Sequence, residues 1–197
     1  MSAMQCPYCN TQLTETSEEC SYCNLSLRSA NALLGPVPHL TPGINDELST
    51  LDKRARSKVS KALTTISRRF PQVSMHVVIR ELDPDYSIST HLFWLFNQGL
   101  FCPSEDKGGK NHSILLGVDP IQGRIGIIVG YGLEPFLAQK SLDYVLKKAQ
   151  PLLSNGDYSG AILTIIDGVY DLMQKICEEL KDILDRSEIE SSHPNEY

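Results

Sequence analysis

The sequence predicts an α/β fold: a mixed β-sheet flanked by helices, an α/β/α sandwich, with a small cysteine-rich ribbon in front of it. Three observations carry this. Apolar residues recur at helical spacing in long segments and as short continuous runs between them, in the order helix, strand, helix, strand, strand, helix, helix. The two central runs, "SILLGVD" (113–119) and "RIGIIVG" (124–130), are separated only by "PIQG", short enough to make an antiparallel hairpin. Two Cys-x-x-Cys pairs stand near the N-terminus, outside the apolar pattern.

Cys6-Pro7-Tyr8-Cys9 and Cys20-Ser21-Tyr22-Cys23 are ten residues apart. Two cysteines three apart on a tight turn aim both sulfurs at one point, and a second such turn completes a tetrahedron of thiolates around a soft divalent ion. In a reducing compartment this duplication reads as metal and not as disulfide. Zinc is the first choice, one structural ion on Cys6, Cys9, Cys20 and Cys23, with iron of the rubredoxin type as the alternative. Residues 1–28 therefore form a zinc ribbon that depends on its metal to fold. Residues 29–45 carry three prolines and two glycines and read as a linker insulating the ribbon from the main domain.

The main domain is expected over 46–186. Asn45-Asp46-Glu47 is helix-starting chemistry, and Leu48, Leu51, Ala55, Val59, Leu63, Ile66 and Phe70 keep a helical period as far as Pro71. The other face of that helix is basic, with Lys53, Arg54, Lys58, Lys61, Arg68 and Arg69. Its plain reading is a solvated face, its sharper one a patch for an acidic partner. "MHVVIREL" (75–82) reads as a strand and "SISTHLFWLFNQGLF" (87–101) as a helix apolar nearly all round, hence largely buried. A polar loop (102–112) leads into the hairpin, whose first strand has the continuous apolar run of a central strand. Two helices come next, over about 134–153 and from Asp157 onward, and the acidic tail 187–197 is poor enough in apolar residues to be disordered.

The chain has 197 residues and a net charge of −6, so no global pull toward nucleic acid or anionic lipid exists. Tyr8 and Tyr22 could stack on bases, but residues 1–28 hold one Arg and no Lys against three Glu, which excludes a phosphate-binding surface. No membrane span is expected, and the N-terminus shows no secretory signal, so a cytoplasmic location is the default.

Strand, Gly130-Tyr131-Gly132, then residues that could start a helix invite comparison with phosphate-binding loops. The third glycine of a dinucleotide fingerprint is replaced by Pro135, the strand leaves a hairpin, and the Walker lysine is missing. The glycines are expected to permit positive φ and close approach, with Glu134 at the next helix's positive end.

Taken together these stretches resemble the TPM domain, a family that includes the thylakoid-lumen protein of photosystem II repair and many bacterial relatives. The resemblance lies in Asn111-His112 before the apolar Ser113–Leu116 run, in Val129 to Glu134, in Pro151 followed by Gly156-Asp157-Tyr158, and in "FWLFNQG" (93–99). Asn45-Asp46-Glu47-Leu48-Ser49 keeps part of the family's opening. The resemblance covers about 45–175 and implies one of two activities: an assembly or repair factor working through protein contacts, or an acid phosphatase.

A phosphatase needs a nucleophile or metal-binding carboxylates. Asp83, Asp85, Asp119, Glu134 and Asp157 stand at loop ends and would suit calcium or magnesium, while turn and capping chemistry accounts for the same residues. Asp83-x-Asp85-x-Ser87 after a strand matches the pattern of aspartate nucleophiles, but no downstream metal-binding pair accompanies it. His39, His76, His91, His112 and His193 show no ligand spacing. The sequence thus favours a protein-interaction or assembly module with an unidentified protein partner. A metal-assisted acid phosphatase using Asp83 or Asp119 is the alternative.

Overall fold

The computed structural model describes residues 6–9, 11–14, 17–36, 38–102 and 109–191. Four strands form one mixed sheet in the order β1 (Ile44–Asp46), β2 (Ser74–Ile79), β3 (Ser113–Asp119), β4 (Arg124–Val129). The first two pairings are parallel and β3–β4 is the antiparallel hairpin. Helices α2 (Lys53–Arg69), α4 (Gln139–Ser154) and α5 (Tyr158–Ser191) cover one face, and α3 (Ile88–Gln98) with α1 (Leu27–Leu34) covers the other.

Alternation along the strands sorts the cores. Val77, Ile79, Ile114, Leu116 and Val118 meet α2, α4 and α5, whereas Val78 and Leu115 meet α3. Every residue of β3 is buried, as a central strand with both faces covered requires. Both parallel crossovers step the same way across the sheet but run over opposite faces, so they differ in hand, and one departs from the right-handed rule. α3 lies close to the sheet over the cross-strand pair Gly117–Gly126, where an added Cβ at either glycine would meet Leu92.

Four boundaries differ from the sequence reading. Asn45 and Asp46 do not start a helix: they belong to β1, and the Asp46 carboxylate accepts the amides of Thr50 and Leu51, both at 2.9 Å. Asp52 is the residue that caps α2, accepting from the Ala55 amide at 2.7 Å. The expected helix start at 134 falls in a run of turns, and α4 begins at Gln139. The expected linker contains α1, started by a reciprocal pair of hydrogen bonds between Ser26 and Ser29 and stopped at Gly35 with φ 81°. At the other end α5 stays helical to Ser191, past the start of the expected tail, and 192–197 lie outside the described residues.

Nor does 29–45 insulate the ribbon. Cys6, Cys20 and Leu25 share one apolar cluster with Leu92, Trp94, Leu95 and Phe96 of α3. The Pro7 carbonyl accepts from the hydroxyls of Ser87 and Thr90, each at 3.3 Å, and Trp94 Nε1 donates to Asn31 Oδ1 at 2.9 Å. The ribbon is docked on α3.

Candidate metal centre

The two knuckles are built alike. The Cys6 amide donates to the Thr11 carbonyl at 2.8 Å and the Cys20 amide to the Leu25 carbonyl at 2.9 Å, each closing a turn of the same length around its Cys-x-x-Cys. Asn24, with φ 56°, supplies the left-handed residue that the second turn needs. An isolated bridge between Glu19 and Ser26 holds the second knuckle's flanks together.

All four sulfurs lie within 4.8 Å of one another. Cys6 Sγ and Cys23 Sγ are 3.6 Å apart, Cys9 Sγ and Cys20 Sγ 3.5 Å. Thiolates at about 2.3 Å around a tetrahedral zinc are separated by about 3.8 Å, so the cluster fits a metal ion such as zinc with little adjustment. Burial raises Cys6 and pushes the Cys23 thiol up to about 12, while the Thr11 hydroxyl beside Cys9 holds that thiol down to about 6. Four thiolates at this spacing would repel one another strongly, and a divalent cation at their centre would make them stable together. Cys102 and Cys177 stand apart from the cluster.

The carboxylates do not gather into a second centre. Among the described residues the four cysteines are the one group of metal-ligating side chains close enough to share an ion. Asp119 is fully buried and fully engaged: its Oδ2 accepts from Arg124 Nη2 at 2.9 Å and Nε at 3.2 Å, and its Oδ1 from the amides of Ile121 and Gln122 at 3.1 and 3.2 Å. The same Arg124 donates to the carbonyls of Leu82, Asp83 and Tyr86, so the pair ties the hairpin turn to the chain leaving β2. Sequence reasoning missed this clamp, although Asp119 and Arg124 face each other directly across a four-residue loop, a pairing the hairpin itself implies. Asp83 is exposed and its Oδ1 accepts from the Asp85 amide at 2.9 Å, an Asx turn. Asp157 accepts from the Gly160 amide at 2.8 Å and opens α5. Glu134 lies among turns, not at a helix end, and burial raises its carboxyl above the ordinary range.

The glycines of 130–132 turn a corner by close approach alone. Neither has positive φ, contrary to the sequence expectation. A Cβ on Gly130 would strike the Lys110 and Asn111 carbonyls, and one on Gly132 the His112 ring.

The chain matches the family model of the TPM domain over residues 44–172, from β1 into α5, with the ribbon outside the match. Among the similar solved structures are two N-terminal domains. The N-terminal domain of a protein from P. gingivalis, determined by solution NMR, is 20% identical, with 67% of this chain and 82% of that chain covered and a TM-score of 0.51. The N-terminal domain of the cg2496 protein from Corynebacterium glutamicum is 15% identical, covering 68% and 82% of the two chains, again at 0.51. At such identities the likeness is one of fold. No curated protein matches the chain. Since the family match spans well over half of the residues and runs from the first strand of the sheet into its last helix, the chain belongs to the TPM domain family.

Proposed function

We propose that this chain is a protein-interaction or assembly module, a zinc ribbon docked on a TPM domain, that works without catalysis. The observation behind this reading is the state of Asp119. It is the one buried carboxylate among the described residues, and both of its oxygens hold Arg124 and backbone amides. A phosphatase needs a carboxylate or metal free to stabilise charge at phosphorus. Asp83, the other candidate, is exposed and occupied by its own turn. Surfaces, in contrast, are plentiful: Lys53, Arg54, Lys58, Lys61, Arg68 and Arg69 of α2 are all exposed.

The ribbon carries one structural zinc on Cys6, Cys9, Cys20 and Cys23, and the cytoplasm, where thiols stay reduced, is the setting that suits it. Metal analysis of freshly purified, reduced protein should find about one zinc per chain. Hydrolysis of p-nitrophenyl phosphate should stay at background from about pH 4 to about pH 8, with or without magnesium and calcium. Lys58→Glu with Lys61→Glu should weaken capture of protein partners while leaving the melting temperature in place. Robust turnover that disappears in Asp83→Asn or Asp119→Asn, with the fold intact, would make the chain a metal-assisted phosphatase instead.

A further inference from the structure

The sheet ends in two unlike edges. At β1 only three residues are open to pairing, and Arg56 Nη2 already donates to the Ile44 carbonyl at 3.0 Å. β4 has six residues and is the last strand on its side. The Gly130 amide donates to the Ser113 carbonyl at 2.9 Å, so in the observed register residues 124, 126 and 128 bond inward to β3. The backbone groups of Ile125, Ile127 and Val129 therefore point outward, and none of the hydrogen bonds among the described residues uses them.

This edge is the floor of a groove of about 390 Å³. Phe93 and Phe96 of α3, with Leu13 of the ribbon, make one wall, and Leu137 and Leu142 make the other. Ile127 and Val129 are half-buried where all of β3 is buried, the mark of a strand lacking a neighbour. Glu134 lines the groove and has no ion pair among the described residues.

We propose that this groove takes an extended segment of a partner protein as a fifth strand beside β4, apolar on both of its faces and carrying a lysine or arginine where it passes Glu134. The outward amides and carbonyls supply a ladder that only another extended backbone can complete. The walls rise on both faces of the sheet, so a slim single strand enters where a second folded sheet with its own helices would collide. A half-buried carboxylate in a groove whose lining includes no Lys or Arg gains from a cation laid against it. The proposal rests on the interaction-module reading and names its surface.

The test uses the full chain with its metal bound, screened against blocked hexapeptides with central positions drawn from Val, Ile, Leu and Thr and one end carrying Lys or Glu. Lys-ended peptides should be enriched, should bind one per chain, and should lose about tenfold or more in affinity for Glu134→Lys. N-methylation of one alternate set of peptide amides should abolish binding while the other set is tolerated, and Ile127→Pro, which deletes an outward N–H and leaves the inward ladder intact, should also abolish it. If Ile127→Pro melts early, the N-methylated peptides and Glu134→Lys decide. No enrichment, or undiminished binding of both alternately N-methylated sets, overturns the proposal, and equal enrichment of Glu-ended peptides overturns the role of Glu134. A wild-type dimer that Ile127→Pro turns into monomer overturns it too, because a second copy then occupies the edge. The interaction-module reading fails separately, through phosphate-ester turnover.

Discussion

The ribbon and the α/β domain touch along α3, yet they are held together by opposite means. The domain buries a continuous apolar cluster on one face of its sheet, with Ile66, Ile79, Leu116, Ile162 and Ile165 almost wholly shielded from water. Within the ribbon the shielded residues include Cys6 and Cys20, and Tyr8 and Tyr22 stay exposed. One part folds by excluding water, the other by gathering four sulfurs at a point. The contact between them makes the difference consequential, since part of the cover over α3 rests on the four-cysteine cluster.

Stripping the four-cysteine cluster of metal is the sharpest way to break the comparison. Structural zinc contributes on the order of 10 kcal/mol to folding of such units, so chelation, or Cys20→Ser, should unfold the ribbon outright. The domain should remain folded but melt earlier, having lost the packing of Cys6, Cys20 and Leu25. Trp94, the only tryptophan, is 3% exposed beneath the ribbon. Its emission should shift to the red on chelation; unchanged emission would mean that the ribbon is not docked as described.

The next largest effect belongs to the domain alone. Asp119→Ala takes the acceptor from the Ile121 and Gln122 amides and the ion-pair partner from Arg124, and should cost about 3 kcal/mol in urea unfolding, with the zinc content unchanged. Gly130→Ala drives a methyl into two carbonyls and should cost about 1–3 kcal/mol. Nucleotide affinity should be undetectable before and after that change, and tight binding lost in the variant would restore the phosphate-loop reading. The smallest effect concerns His91. Burial holds its pKa below the usual 6.5, and its Nε2 lies 3.0 Å from the Asp83 carbonyl. The neutral ring is the folded form, so stability is fully present above pH 6.5 and falls as pH drops through the lower folded value. His91→Gln, compared with wild type over that acid window, should flatten the fall; parallel curves would place the loss elsewhere.

Much of the domain was legible because its signals are local and continuous. β3 matches its seven-residue apolar run, the hairpin is dictated by a four-residue loop, and the metal ligands lie close together in the chain. The features that escaped depend on distant partners. β1 is three residues, two of them polar, and becomes a strand only because Gly43 and Glu47 bond to β2. α1 sits before three prolines and is stabilised by its contact with α3, and the groove at β4 is assembled from five separate segments. Glu134 carries helix-starting chemistry that the turns after Gly130 override, since Leu133 and Phe136 already bond backward within them.

The far end of α5 bears on how this protein behaves in a tube. From Cys177 to Asp185 every side chain is exposed, including Leu180, Ile183 and Leu184, while the helix continues to Ser191. At a rise of about 1.5 Å per residue, that stretch stands out by about 20 Å as a stalk. Its friction slows diffusion beyond what the 21.9 kDa mass implies. A monomer will therefore elute from a sizing column as though it were heavier, and its mass is properly read from light scattering or sedimentation equilibrium.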